Sequence, residues 1–477
     1  MLPKLNLTLL LLSLSLSNLS IVNSYNPLNT LHAKDLTTPI LHIDAPYGFG
    51  SYGYANLTLK SLYVSGRPPP SGYSVNFLLR QYYDQSEFAV DYENGLSNSH
   101  CLASTPLPGD VLLNASDPLA WNQAQSVSHE FTEGDEGLYF LTFQRCSPST
   151  SAFPTSFTFT HEFYNLDRNG EVDYLSAGEQ PLPNLYLTFC FSYLVAIAVW
   201  LRWIKKAKQQ SETLVSGGTM SQTDLVVHHI HHMMTALLVL KILTLFSNFM
   251  RYHYISVNGT GEIWSVFYYI FTFLRGIFLF VLILLIGSGW SFLKPFLNQK
   301  EKKIVFFVLI LQVIDNIALV VVAGDEKGST ARSNLENFLH FVDIICCCAI
   351  MFPIVWQVRS LEKMVMNGDS KATERTIEKL TLFRQFYVLV ICYIYFTRIL
   401  VFLVSTLLTF KHAWLSHFFE EGGTMVFYFM VGLKFRPKKA NPYLELRQLD
   451  DDGDGDGDGG SGLEEFGLEE EQLNNEL

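Results

Sequence analysis

Five ionisable side chains stand where a plain membrane span would have none: Lys241, Arg275, Asp315, Asp343 and Arg398, each inside a long apolar run. A charge at mid-membrane depth costs about 2.5–3.5 kcal/mol on insertion scales, so such groups turn inward and pair. Three cations against two anions leave one positive charge unmatched. Glu420 or Glu421 could meet it, or an anionic ligand such as a lipid headgroup. Two readings stay open for this set: a polar cavity that takes a ligand or an ion, and a network that only fixes helix packing.

Other constellations are weaker. His228 and His232 lie at i, i+4 beside His229 and His231, with Asp224 one turn earlier. That spacing could face one metal, but no His-Glu-x-x-His arrangement is present to support zinc catalysis. A structural or pH-sensing role at the membrane interface fits these histidines better. Asp454-Gly-Asp-Gly-Asp-Gly459 followed by Glu465 meets the bare pattern of a calcium loop. Its glycine-rich flanks cannot supply the two helices, so an acidic disordered tail is expected instead. No nucleophile elbow, phosphate loop or dinucleotide fingerprint occurs, and the chain is read as a non-enzyme without cofactor.

The elements that must hold the five charges are seven apolar segments: 185–204, 226–248, 264–286, 304–323, 338–356, 386–410, and 424–433 with an upstream stretch at 414–419. Most reach the roughly 20 residues that cross about 30 Å of hydrocarbon as a helix. The seventh is interrupted by Glu420-Glu421-Gly422-Gly423, which leaves its start open. Loop charges fix the orientation. Lys294, Lys300, Lys302 and Lys303 crowd the short bridge 287–303; Arg202 at the end of the first segment is followed by Lys205, Lys206 and Lys208. Cations also follow the fifth and seventh, whereas loops 251–263, 324–337 and 411–423 are poorer in them. Lysine-rich short loops stay cytosolic, so the N-terminal region is expected in the lumen and the C-terminal tail in the cytosol.

Composition agrees. Only 16% of the 477 residues are charged and 14% are aromatic. The net charge of −12 equals the six Asp and six Glu of 449–477, so the remainder is near neutral and carries no stripe for nucleic acid. Residues 1–24 read as a signal peptide, with Lys4 before a short leucine core. Residues 25–180 hold no span-length apolar run and lean toward short strands. Phe157, Phe159 and Phe163 alternate onto one face, and 137–146 reads as a second strand ending at Cys146. Cys101 and Cys146 are the two cysteines ahead of the apolar segments, which suggests one disulfide in an oxidising lumen. The sequons at Asn56 and Asn114 are candidate N-glycosylation sites; that at Asn258 falls in a short membrane-side loop and is not expected to be modified. The domain plan is therefore signal peptide 1–24, luminal β-sandwich 25–180, seven-helix bundle 181–434, and cytosolic acidic tail 435–477. In that tail, Tyr443-Leu-Glu-Leu446 has the spacing of a tyrosine-based sorting signal.

Several longer motifs add a family likeness. Tyr174-Leu-Ser-Ala-Gly-Glu-Gln-Pro-Leu-Pro-Asn-Leu-Tyr186, the His229-Ile-His-His-Met-Met run, Ile286-Gly-Ser-Gly-Trp-Ser-Phe-Leu-Lys-Pro-Phe296, Val342-Asp-Ile-Ile-Cys-Cys347, Phe352-Pro-Ile-Val-Trp356 and Tyr393-Ile-Tyr-Phe-Thr-Arg398 resemble the lung seven-transmembrane receptor family. The resemblance covers roughly 130–445. It implies a GOLD-type luminal β-sandwich on the bundle, residence in Golgi and endosomal membranes, and a part in protein trafficking. Plant members are also described as candidate G-protein-coupled receptors. The expected partners are membrane lipid and a luminal protein cargo or ligand, with clathrin adaptors or a G protein on the cytosolic side. Against the receptor reading, the third segment ends Gly287-Ser-Gly-Trp290 rather than in an acidic-Arg-Tyr triplet, and the seventh lacks an Asn-Pro-x-x-Tyr run. An ion pathway through the charged bundle is a third alternative.

Overall fold

A computed structural model describes residues 27–64, 73–83, 85–98, 101–116, 123–146, 154–167, 170–216, 229–287, 310, 385–386, 388–401, 404 and 407–437. The expected signal peptide 1–24, the fourth and fifth apolar segments apart from residue 310, with Asp315 and Asp343, the Lys294–Lys303 cations, and the tail beyond residue 437 with Tyr443 and Leu446 lie outside the described residues.

Among the described residues, ten strands form two antiparallel five-stranded sheets. They are β1 (Leu28–Leu36), β2 (Ile40–His42), β3 (Tyr47–Phe49), β4 (Tyr54–Val64), β5 (Ser74–Tyr82), β6 (Val111–Ala115), β7 (Gln125–Glu130), β8 (Gly137–Cys146), β9 (Thr155–Leu166) and β10 (Val172–Asp173). The first sheet runs β1-β9-β4-β7 with β10 against β9, and the second runs β2-β8-β5-β6 with β3 against β8. Along β9 every second residue is buried, so Phe157, Phe159 and Phe163 point into one core, as the two-residue period of a strand requires. Phe77 of β5 lies flat on Phe159 with ring centroids 4.1 Å apart, and Phe143 of β8 stacks on Phe157 at 4.8 Å. These cross-sheet stacks hold the two layers face to face.

Strand β8 is buried on both faces because helix α1 (Gln85–Asn98) covers the outside of the second sheet. Phe88 and Tyr92 of α1 pack there on Phe140 and Tyr82. Cys101, just past α1, is bonded to Cys146 at the end of β8, with Cα atoms 5.5 Å apart. Arg80 pins the loop that follows. It pairs with Asp110 at 2.7 Å and donates to the carbonyls of Leu102 and Thr105. Asn56 sits on the outer face of the first sheet and Asn114 is exposed on the edge strand β6.

The helices overrun the spans read from hydropathy. Helix α2 is Leu182–Ser216, α3 is His229–Asn258 and α4 is Glu262–Gly287. Among the described residues these three are long and apolar enough to cross a membrane. Residues 251–258, expected in a loop, complete α3, so only a tight turn at Gly259 separates α3 from α4. In the sixth segment, helix from residue 388 passes into a wider π turn at Phe396–Leu400. The seventh helix, α5, is unbroken from Trp414 to Lys434. The Glu-Glu-Gly-Gly run is thus mid-helix and does not interrupt it. A Cβ on Gly423 would meet the ring of Phe396, so the glycine allows the sixth and seventh helices to approach closely.

Candidate functional site

Lys241 of α3 and Glu421 of α5 form an ion pair in the bundle interior, the lysine fully buried and the carboxylate nearly so. The Tyr193 ring of α2 lies 5.8 Å from the Lys241 ammonium, adding a cation–π contact. Arg275 of α4 is within electrostatic reach of Glu421, Lys241 and Tyr428, yet makes no hydrogen bond or ion pair among the described residues. The hydroxyls of Tyr193 and Tyr428 are sealed from solvent without a hydrogen-bond partner among the described residues. Of the five charges singled out in the sequence, the structure brings Lys241 and Arg275 together; Asp315 and Asp343 lie outside the described residues, as does the side chain of Arg398. Glu421 supplies the counter-charge that a count of the apolar segments lacked.

Helix α5, which carries Glu421, is anchored at both ends. On the sandwich side, a short 3₁₀ turn Phe410–His412 rests on β3 and on the 174–181 linker. The Phe410 ring abuts Gly48, Lys411 pairs with Glu136, and Trp414 N–H donates to the Gly178 carbonyl at 3.1 Å. Any Cβ at Gly178 would collide with the Phe410 carbonyl, so the Tyr174–Tyr186 motif needs glycine there. The Lys411 ammonium holds the Glu136 carboxyl below the usual range.

The linker is tied to the sandwich by hydrogen bonds grouped around one amide. Asn165 Nδ2 donates to the Gly48 and Leu175 carbonyls and to the Tyr47 hydroxyl, while Ser176 Oγ accepts from Gly48 N–H. Burial raises Tyr47 well above an ordinary phenol, so it stays a donor, to the Leu175 carbonyl at 3.0 Å. Asp173 accepts from Leu175 N–H and from the Ser256 hydroxyl of α3 at 2.7 Å, joining β10 to the second membrane helix.

At the far end, His231 Nε2 is 3.1 Å from the Phe435 carbonyl, and Arg436 stacks over Trp203 at 4.8 Å. His231 therefore packs against the end of α5, His232 is exposed, and His228 lies outside the described residues. No group of three metal-ligating side chains occurs among the described residues.

An apolar cavity of about 410 Å³ opens between α2, α3, α4, the sixth segment and α5. Trp200, Met234, Ile286, Phe386 and Leu433 put much of it in the half of the bundle remote from the sandwich.

Comparison with known proteins places this arrangement. Residues 181–442 match the family model described as GOST, seven transmembrane domain. A protein of Arabidopsis thaliana named candidate G-protein coupled receptor 6 is 38% identical over 321 residues, 67% of this chain and 70% of that protein. The chain belongs to the GOST seven-transmembrane family, the group of lung seven-transmembrane receptors and plant candidate G-protein-coupled receptors that its motifs resemble.

Proposed function

We propose that the protein is a receptor-like trafficking factor of Golgi and endosomal membranes. Its luminal sandwich binds a protein cargo or partner, and the bundle carries that state to sorting machinery in the cytosol. The observation behind this reading is the double anchoring of α5: the 3₁₀ turn that leads into it and its first residue are clamped to the sandwich and its linker by Phe410, Lys411 and Trp414, and its C-cap Phe435 is held by His231. A sandwich that shifts on binding a partner must then strain α5 along its length, including the buried Glu421. In this reading Tyr443 and Leu446 present the sorting signal to clathrin adaptors. Asn56 and Asn114 carry glycans on the sandwich, and both lie on surfaces that leave the core untouched.

A second reading, a signalling receptor, draws on the apolar cavity at the far end and on the name of the Arabidopsis relative. A bundle that opens there would offer a groove to a G protein. The two separate in one experiment, the steady-state location of a tagged copy at native expression beside Tyr443→Ala. Golgi or endosomal residence that shifts in the variant is the expected result. Residence at the plasma membrane, unchanged by the substitution, would transfer the weight to the signalling reading.

A further inference from the structure

Near the sandwich side of the bundle, Arg251 of α3 stands among three tyrosines. Its guanidinium lies 5.5 Å from the Tyr252 ring, 5.6 Å from Tyr268 and 5.9 Å from Tyr269. Its Nε is sealed off with no hydrogen-bond partner, and no carboxylate pairs with it among the described residues. Aromatic faces attract a cation but do not accept the five N–H donors of a guanidinium. An Nε donor sealed in a low-dielectric interior without an acceptor is costly, whereas the two Nη atoms are not sealed in this way. Further buried polar atoms lie inward. Asn248 Oδ1, one turn along α3, and Thr272 Oγ1, one turn along α4 from Tyr268, are also buried without partners among the described residues. Ten residues of α3 separate Arg251 from Lys241, about 15 Å of helix. Unpartnered polar groups thus line the interior from the sandwich side down to the Lys241–Glu421 pair.

We propose that this polar column is an anion-binding vestibule, open on the sandwich side, in which Arg251 and its tyrosine cage receive a phosphate group of a small soluble ligand. The planar fork of arginine matches two oxygens of a phosphate, and the cage excludes water around them. Glu179, on the linker between sandwich and α2, lies within electrostatic reach of Arg251 and reduces the net positive charge the site offers an anion. Arg251 lies two turns from the end of α3 at Asn258, which keeps the site within reach of the sandwich side.

The test uses the full-length protein in phosphatidylcholine nanodiscs, unfolded thermally in sodium phosphate and in sodium chloride of equal ionic strength. Phosphate is expected to raise the melting temperature by on the order of 3 °C. Arg251→Gln loses that gain and Arg251→Lys keeps part of it. Phosphate also stabilises proteins by exclusion from their surfaces, so a gain that survives Arg251→Gln overturns the site. Should that variant fail to fold, Tyr269→Leu opens one wall of the cage without removing a charge. It is expected to shrink the gain, and an unchanged gain there is equally fatal. Nanodiscs containing phosphatidic acid separate the sources: an Arg251-dependent gain from the lipid alone, with none from free phosphate, overturns the soluble ligand in favour of a headgroup. No gain from either anion ends the proposal. The site stands on bundle geometry, so a protein that binds phosphate but resides at the cell surface would sink the trafficking reading and leave this one intact.

Discussion

Between its sheets the sandwich buries rings, Phe77 flat on Phe159 and Phe49 flat on Phe131 at 4.0 Å. Between its helices the bundle buries Lys241, Glu421 and two tyrosine hydroxyls that have no partner among the described residues. The contrast follows from what surrounds each half. In water, removing aromatic surface from solvent drives folding directly. In a membrane the lipid is as apolar as leucine, so apolar contact discriminates little between one helix arrangement and another, and interhelical polar pairs set the register. The sandwich is built to be stable, and the bundle to hold particular groups at particular depths.

The largest effect should come from splitting the buried pair. Lys241→Met leaves Glu421 without its ion-pair partner, with Arg275 as the nearest cation the structure describes, a loss of up to about 3–5 kcal/mol. Adding Glu421→Leu removes the orphan and is expected to recover most of it, read as thermal unfolding in detergent. Phe159→Ala in the sandwich costs a similar amount, about 3–5 kcal/mol, as a cavity that no second polar substitution restores. A double variant no more stable than Lys241→Met would show that the pair is not coupled, and the contrast between the two cores would fail.

The same contrast decides what the sequence discloses. Alternation placed Phe157, Phe159 and Phe163 on one face because a strand between water and core writes its period directly into residue type. Hydropathy found the middles of α2, α3 and α4 for the same reason. It failed at residues 420–423, where two charges and two glycines read as a break. The helix continues there because Lys241, far away in sequence, neutralises Glu421, and because Gly423 fits under Phe396. Both compensations are tertiary. Arg251 was assigned to a loop, although Lys241, Asn248, Arg251 and Tyr252 continue one helical stripe. That stripe was the available signal, hidden by treating the first cation after an apolar run as its end.

The disulfide sharpens the comparison from the other side, since it belongs to the sandwich alone. Cys101 and Cys146 close a loop of 45 residues, which chain entropy values at about 4 kcal/mol as an upper figure. Cys101→Ser and Cys146→Ser should each destabilise the sandwich by about 2–4 kcal/mol. The double variant should be no worse than either, with the bundle's helical signal unchanged at the sandwich transition. Additive losses would mean that the two thiols act separately.

The smallest effect lies at the seam, where Asp173 of β10 meets Ser256 of α3. Burial pushes the Asp173 carboxyl above the ordinary aspartate range, and Asp167 adds to that; the N–H of Leu175 and the hydroxyl of Ser256 pull the other way without cancelling it. A folded-state value above the unfolded one means that the fold binds more protons in that window. The contribution is therefore fully present below the unfolded value and is lost as pH rises through the folded one. The seam should tighten on acidification, seen as slower exchange of the Tyr174 N–H, which donates to the Ser256 carbonyl at 3.1 Å. Exchange has to be corrected for its intrinsic pH dependence. Asp173→Asn keeps an oxygen for Ser256 but cannot titrate, so its corrected exchange should be flat with pH. A variant that tightens as much as the wild type would move the pH response to another group. The junction between the two differently built cores would then owe none of its proton sensitivity to this carboxylate.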